Sequence, residues 1–454
     1  MKILTLFMIV FVAAIGTGFT RAESFGLILL SAAIPWIFVL TLVPLMVWIE
    51  RKGSAWIQDR TGPERAFIPG IGLRLAGFIH NLADFLKLAT KEEPIPRHVN
   101  KVIFVLAPCL SVFIALIVGA VIPYCHPLSF EDGTVFRVQA LDLNIGVLWV
   151  MAISSVGVYA VVLAAWGSNN KYSQLAGLRA SASMISYEVT FGLALAGIFL
   201  VYQTPKLDEI VVAQSGAWLG VLPRWGIFTQ PLGFLLFLVA ALAETNRAPF
   251  DLAEAESELV AGFHTEYGGF KFALFFMAEY VAIVVQCLLI ATLFLGGWQL
   301  IPWIDTHAVL SRPENASLAL RIILTLILVA GGLVGWKLLK WHRHNRLKWH
   351  DARRNEGLVL AMLFGFLPAA TAGIVLLLWG GTLGFNGTAV AAGAVEMLAL
   401  VSKTLLLAWV FVWIRWTVPR FRYDQLMGLG WKIMLPLGMA NLMVTALLVQ
   451  MGVL

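Results

Sequence analysis

The sequence predicts an all-α, polytopic membrane protein with about ten to eleven transmembrane helices and an amphipathic helix on the cytoplasmic side. Three observations lead there. Of 454 residues, 60% are hydrophobic and only 13% are charged, whereas soluble chains run at about 45–50% and about 25%. The apolar residues gather in runs long enough to cross a bilayer, at about 20 residues per span. The Lys and Arg residues collect in alternate loops, as the positive-inside rule asks of a multi-pass chain.

Taken in order, Met1-Lys2, the apolar run to Ile15 and Thr20-Arg21-Ala22 resemble a signal peptide with its cleavage site. A retained helix over 3–20, entering from the cytoplasm, fits the topology equally well and is the favoured expectation. The next span is expected at 25–49. The loop 50–101 that follows carries nine basic residues. Within it, 71–91 is too charged to span. Ile71, Leu75, Phe78, Ile79, Leu82, Phe85 and Leu86 recur at helical spacing, while Arg74, His80, Asn81, Asp84, Lys87 and Lys91 line the other face. That pattern predicts a helix lying in the membrane interface.

Further spans are expected at 101–124, 145–166, 186–202, 232–246, 272–297, 318–336, 357–380, 388–414 and 431–452. The segment 337–354 holds seven Lys and Arg residues. By contrast, 125–144 holds Arg137 against Glu131, Asp132 and Asp142, and 381–388 carries no charge. The net charge of +6 therefore orients helices, and no nucleic-acid partner is expected. Cys109, Cys125 and Cys287 lie far apart, so this chain is expected to hold no iron–sulfur cluster, metal or disulfide framework. No Gly-rich phosphate loop ending in Lys-Ser/Thr occurs, which argues against ATP-driven transport by this chain alone.

One cytoplasmic loop breaks the charge rule. It reads Glu244-Thr245-Asn246-Arg247-Ala248-Pro249-Phe250-Asp251, continues through Glu254, Glu256 and Glu258, and reaches Glu266. If it coils, Asp251, Glu254 and Glu258 share a helix face. Like charges that close titrate as a coupled set, which suits proton transfer. A solvated loop that merely repels anions is the alternative. Glu188, Glu244 and Glu279 add acids inside the cytoplasmic halves of spans, where ionisable groups are costly and mark a pathway. Glu396 and Lys403 sit too far apart on one helix to pair, so Lys403 needs a partner from another helix or water. Acids on the cytoplasmic half alone build half a path, and a full route needs partner subunits.

These motifs resemble the quinone-chamber membrane subunit of respiratory complex I, the family of NADH:quinone oxidoreductase subunits called H in bacteria and 1 in mitochondria. The acidic loop carries the likeness. Glu50-Arg51-Lys52 with Gln58, Arg60, Gly62 and Pro63, then Ala83-Asp84 with Lys87, and Thr90-Lys91-Glu92 agree with it in order. So do Arg179, Ser186-Tyr187-Glu188-Val189, Phe275-Phe276-Met277-Ala278-Glu279-Tyr280 and Arg420-x-Arg422-Tyr423-Asp424-Gln425. The resemblance implies that Arg51, Arg60, Asp84, Lys87, Arg247 and Phe250 line or shape a quinone tunnel. It implies that Glu188, Glu244, Asp251, Glu254, Glu256, Glu258 and Glu279 carry proton coupling. Arg179, Lys403, Arg420, Arg422 and Asp424 would be charge partners or interface residues. The substrate would be ubiquinone or menaquinone, with no flavin, cluster or metal bound by this chain. Electrons would come from peripheral-arm iron–sulfur subunits, and antiporter-like subunits would lie alongside, in a bacterial inner membrane among its lipids.

Against that family the chain divides into a hydrophobic extension (1–24), a core (25–303), an inserted pair of spans (304–387) and two last helices (388–454). Usual members have eight spans, so the pair, with its basic loop Trp341–Arg354, reads as peripheral helices facing lipid or a neighbouring subunit. His80 stands where the family usually has Gln. The runners-up are the anchor subunit of a related membrane-bound hydrogenase or deazaflavin-linked dehydrogenase, and a stand-alone ion-coupled transporter. The last of these predicts internal repeats, and none is seen between the two halves.

Overall fold

A computed structural model of the chain describes residues 25–67, 74–131, 133–218, 220–253, 261–348, 353–378 and 384–453. The segment 3–20, Ile71, and the carboxylates Glu254, Glu256 and Glu258 lie outside the described residues.

In chain order the elements are α1 (Phe25–Ile57), a 3-10 turn (Leu75–Gly77), α2 (Ile79–Thr90), α3 (Lys101–Gly119) and a small antiparallel hairpin of β1 (Leu128–Ser129) and β2 (Val135–Phe136). Next come α4 (Gly146–Gly167), α5 (Lys171–Tyr202), α6 (Leu207–Ala213) and a second hairpin of β3 (Ala217–Trp218) and β4 (Leu222–Pro223). The chain continues through α7 (Gly226–Thr229), α8 (Pro231–Glu244), α9 (Gly269–Phe294), α10 (Thr306–Leu310), α11 (Pro313–Lys348) and α12 (Arg353–Leu360). A π-helical turn (Ala361–Phe366) leads into α13 (Leu367–Leu378), then α14 (Phe385–Thr417) and α15 (Tyr423–Gly428). A second π-helical turn (Leu429–Met434) joins α15 to α16 (Leu435–Gln450).

Among the described residues, nine helices are long and apolar enough to cross a bilayer. The protein is an all-α, multi-pass membrane protein. A tenth apolar helix, α8, has 14 residues, which at about 1.5 Å each falls short of the roughly 30 Å hydrocarbon core. The expected span at 186–202 is the second half of the long helix α5, and the basic stretch 341–348, expected as loop, continues α11.

The fold comprises two compact units. The first draws on Met1–Val43, Thr90–Thr306 and Glu396–Leu454, and the second on Pro44–Ala89 and His307–Val395. The first unit is organised by α9, in which Val281, Val284, Cys287, Leu288, Leu289 and Ile290 are all buried. A helix apolar on every side belongs at the centre of a bundle, and α9 packs on α3, which packs on α4. The helix α5 lies against α4, α8 and α16. Asn100 starts α3 by accepting hydrogen bonds from the Val102 and Ile103 amides, the usual service of an Asn at a helix N-terminus.

In the second unit, α11 packs on α12, the π turn and α13. Small residues make the close approach possible. A Cβ added at Gly365 would lie 2.4 Å from the Cα of Gly335, and one at Gly331 would lie 2.7 Å from the Gly365 carbonyl oxygen. Such glycines let membrane helices associate through backbone contact where no hydrophobic force distinguishes lipid from neighbour. The outer face of α11, with Leu318, Ile322, Leu326, Val329, Leu333 and Trp336, is exposed. On the inner face, Trp48, Ala76 and Leu360 form one buried cluster with Leu45, Ile49, Leu338, Trp341 and Val359.

The amphipathic helix is shorter than its periodicity suggests. Leu75, Ala76 and Gly77 take left-handed φ of 45°, 51° and 88°, so the helix begins only at Ile79. The break is built in, because a Cβ on Gly77 would lie 1.8 Å from the Pro63 carbonyl oxygen. Leu82, Phe85 and Leu86 remain exposed, as an interfacial helix needs for burial among acyl chains.

Candidate functional site

In the first unit the site is built where α8 ends. Asn246 takes a left-handed φ of 51°, a conformation Asn tolerates better than most residues and one that commonly terminates helices. Pro249 then keeps the chain from coiling further. Its amide lacks a proton, but its carbonyl accepts from the Phe421 amide at 3.1 Å. Asp251 lies outside any helix. The shared helical face expected for Asp251, Glu254 and Glu258 runs into 254–260, outside the described residues.

The turn places its charges inward. Arg247 is buried, with its guanidinium 4.2 Å from the Tyr280 ring centre and 5.7 Å from that of Phe276. Its Nη2 is 3.4 Å from the Glu279 carboxylate on α9. Rings supply quadrupole attraction to a guanidinium that has left water, and the carboxylate supplies the countercharge that burial requires. Seven residues further along α9, Gln286 donates from Nε2 to Glu244 at 2.8 Å. Seven residues are nearly two full turns, so Glu279 and Gln286 share one face about 10 Å apart. The result is a row of polar groups along an apolar helix, with Arg247–Glu279 at one level and Glu244–Gln286 at the other.

A second set of contacts pins the turn from the C-terminal side. Asp251 is buried and pairs with Arg420 at 3.0 Å. Phe250, also buried, meets Tyr187 edge-on at 5.3 Å and Phe421 at 5.6 Å. The Tyr187 hydroxyl donates to the Leu426 carbonyl at 2.9 Å, and Arg179 lies over the Tyr423 ring at 5.3 Å. Arg422 and Asp424 pair with each other at 2.9 Å on the surface.

In the second unit, Arg51 near the end of α1 pairs with Asp84 on α2 at 2.8 Å, both partly open to solvent. Arg60 and Lys87 are exposed, and Arg60 donates to Gln58 at 2.7 Å. His80 accepts from the Ala66 amide through Nε2 at 3.0 Å, so it tethers the loop that precedes α2. Lys52, beside Arg51 in sequence, is fully buried. Its ammonium reaches Thr61 O at 2.7 Å, Glu64 at 2.8 Å and Glu356 at 3.0 Å.

Lys403 finds the partners its position demands. It donates to the carbonyls of Leu295, Gly297 and Gln299 at 2.6, 2.9 and 2.6 Å, and stands over the Trp225 ring at 4.5 Å. Those carbonyls follow the C-terminus of α9, where a cation is favoured. Glu396 is fully buried and accepts from the His126 amide at 2.8 Å. Beside it, burial first and then the Glu396 charge push the Cys125 thiol up to about 12. Among the described residues no group of three or more His, Cys, Asp or Glu side chains is placed to hold a metal.

Of the residues singled out in the sequence, the structure has Glu188, Glu244, Arg247, Phe250, Asp251 and Glu279 in one unit and pairs Arg51 with Asp84 in the other. Sequence reasoning missed Gln286, Glu64 and Glu356. Gln286 had a signal, as an amide inside the apolar run 281–295.

The chain matches the profile of the NADH dehydrogenase family over residues 30–344 and 357–446. The chain belongs to this family. It is 41% identical to an H subunit of the NADH-quinone oxidoreductase of Solibacter usitatus, across 93% of this chain and 96% of that protein. It is 38% identical to NADH-quinone oxidoreductase subunit 8 of Rhodothermus marinus, across 90% and 93%. The H subunit of the Bdellovibrio bacteriovorus enzyme is 35% identical across 93% and 96%. The family that the motifs resemble is the one that most of the chain matches. The matched stretches include most of 304–387 and leave out 345–356.

Proposed function

We propose that this chain, a membrane subunit of NADH-quinone oxidoreductase, walls the membrane part of a quinone tunnel and starts the path that couples quinone reduction to proton transfer. Arg51, Arg60, Asp84, Lys87, Arg247 and Phe250 line or shape the tunnel. Glu188, Glu244, Asp251, Glu254, Glu256, Glu258 and Glu279 carry the protons. The quinone is ubiquinone or menaquinone, its electrons arriving from iron–sulfur subunits that dock at the cytoplasmic loops. Antiporter-like subunits continue the path, and the complex sits in a bacterial inner membrane.

The observation that carries this reading is the two-level polar row on α9. Reducing a quinone draws in protons and changes local charge. When the charge on the quinone weakens the Arg247–Glu279 pair, Glu279 takes up a proton, and Glu244, held by Gln286 two turns along, is the second carboxyl that takes up or passes on a proton in that row. The names of the relatives favour the quinone-linked branch over a hydrogenase anchor or a stand-alone transporter.

Glu244→Gln in the complex reconstituted into vesicles tests the row. NADH-driven proton transfer is expected to fall about tenfold, the rate equivalent of the roughly 1.5 kcal/mol in one charge-assisted hydrogen bond. NADH oxidation by an artificial acceptor is expected to stay unchanged. Undiminished proton transfer would remove Glu244 from the path.

A further inference from the structure

The buried triad Lys52–Glu64–Glu356 is used by nothing above. Two of its members belong to the segment that carries Arg51 and Arg60, and the third belongs to the inserted helix pair. Lys52 has three ammonium hydrogens and three acceptors: Thr61 O, Glu64 Oε1 and Glu356 Oε1. Glu356 is itself buried, and the same oxygen accepts from the Trp56 indole at 2.7 Å. Around these bonds, Trp48 stacks on Phe364 at 5.8 Å and Trp56 meets Trp341 edge-on at 6.1 Å. The Trp48 indole donates to the Ala76 carbonyl at 3.0 Å. The helix pair therefore grips α1 at Trp48, Lys52 and Trp56, and Lys52 passes that grip to the loop at Thr61 and Glu64. The other end of the loop is held by His80 through Ala66.

We propose that Glu356 is a positioning residue for quinone binding: through Lys52 it fixes the end of α1 and the loop 60–66, and so the orientation of Arg51 and Arg60. The inference rests on the assignment of Arg51 and Arg60 to the tunnel. Glu356 falls in the stretch 345–356 that the family profile leaves unmatched. A buried ammonium that loses a carboxylate partner does not keep its geometry, because the remaining bonds rearrange to satisfy the charge. The end of α1 and the loop then relax together.

The test is quinone kinetics of the assembled complex in membranes carrying Glu356→Gln, Glu356→Asp, Trp56→Phe and, for comparison, Arg51→Met. With Glu356→Gln, KM for quinone is expected to rise about threefold or more while kcat stays within about twofold, the mark of displaced binding groups with the chemistry untouched. Glu356→Asp, which keeps the charge, is expected to recover most of the KM, and Trp56→Phe to raise it less. A helix pair that served stability alone would lower the yield of complex and leave KM where it was. An unchanged KM in Glu356→Gln overturns the proposal. Should that variant fail to assemble, an unchanged KM in Trp56→Phe overturns it instead. If KM is unmoved by Glu356→Gln but shifted by Arg51→Met, the positioning role falls and the tunnel assignment stands. If Arg51→Met moves nothing either, the tunnel assignment falls with it.

Discussion

Arg247→Met is expected to abolish most quinone-dependent NADH oxidation while the oxidation of NADH by artificial acceptors survives. The guanidinium is buried, stacked on Tyr280 and Phe276, and is the countercharge of Glu279. Removing it leaves a carboxylate in an apolar helix face without its cation, a change that costs about 3–5 kcal/mol when one partner of a buried pair is lost. At 1.4 kcal/mol per factor of ten, that corresponds to a fall of about 100-fold or more in whatever step needs the charged pair. Part of the loss will be in assembly, and a second substitution separates the two. Arg247→Met combined with Glu279→Gln removes both charges, so it is expected to restore the amount of complex but not quinone turnover. Recovery of turnover in the double variant would show that the pair serves folding alone.

Lys403→Met is expected to act on stability and not on chemistry. Three carbonyls after α9 share one ammonium, and charge-assisted bonds are worth roughly 1.5–3 kcal/mol each before the lysine's own desolvation is set against them. A net loss of about 3 kcal/mol is the expected result, read as a lower thermal midpoint of the detergent-solubilised complex. The complex that remains should keep its KM for quinone. A shift in KM with no loss of stability would place Lys403 in the quinone path instead.

The sequence carried the bilayer plainly, because apolar run length and loop charge are one-dimensional quantities. It also carried the buried acids Glu188, Glu244 and Glu279 as candidates, since an acid in an apolar run is conspicuous wherever it ends up. What it did not carry was who meets whom. Arg247 was legible as a tunnel residue and Glu279 as a proton carrier, yet the structure makes them one pair. Lys403 was legible as a cation in need of partners, but backbone carbonyls leave no trace in a sequence. Glu356 meets Trp56 across 300 positions, and no local pattern encodes that distance. The spans at 304–387 read as peripheral because they exceed the eight that the resemblance implies. Their inner face shows only when Trp341, Leu338 and Leu360 are seen against Trp48 and Ile49. The helix expected from Ile71 starts at Ile79 for a similar reason, since the close approach of Gly77 to Pro63 is a tertiary fact that periodicity cannot register.

If this chain itself walls the quinone, bound quinone lies against its side chains. A photoreactive quinone analogue, carried by the intact complex in the presence of NADH and then mapped by peptide sequencing, tests it most directly. Label is expected in this chain on peptides containing Arg51–Arg60, Asp84–Lys87 or Arg247–Asp251, and excess quinone is expected to compete it away. Label confined to partner subunits, or label on this chain that quinone does not displace, would contradict the claim.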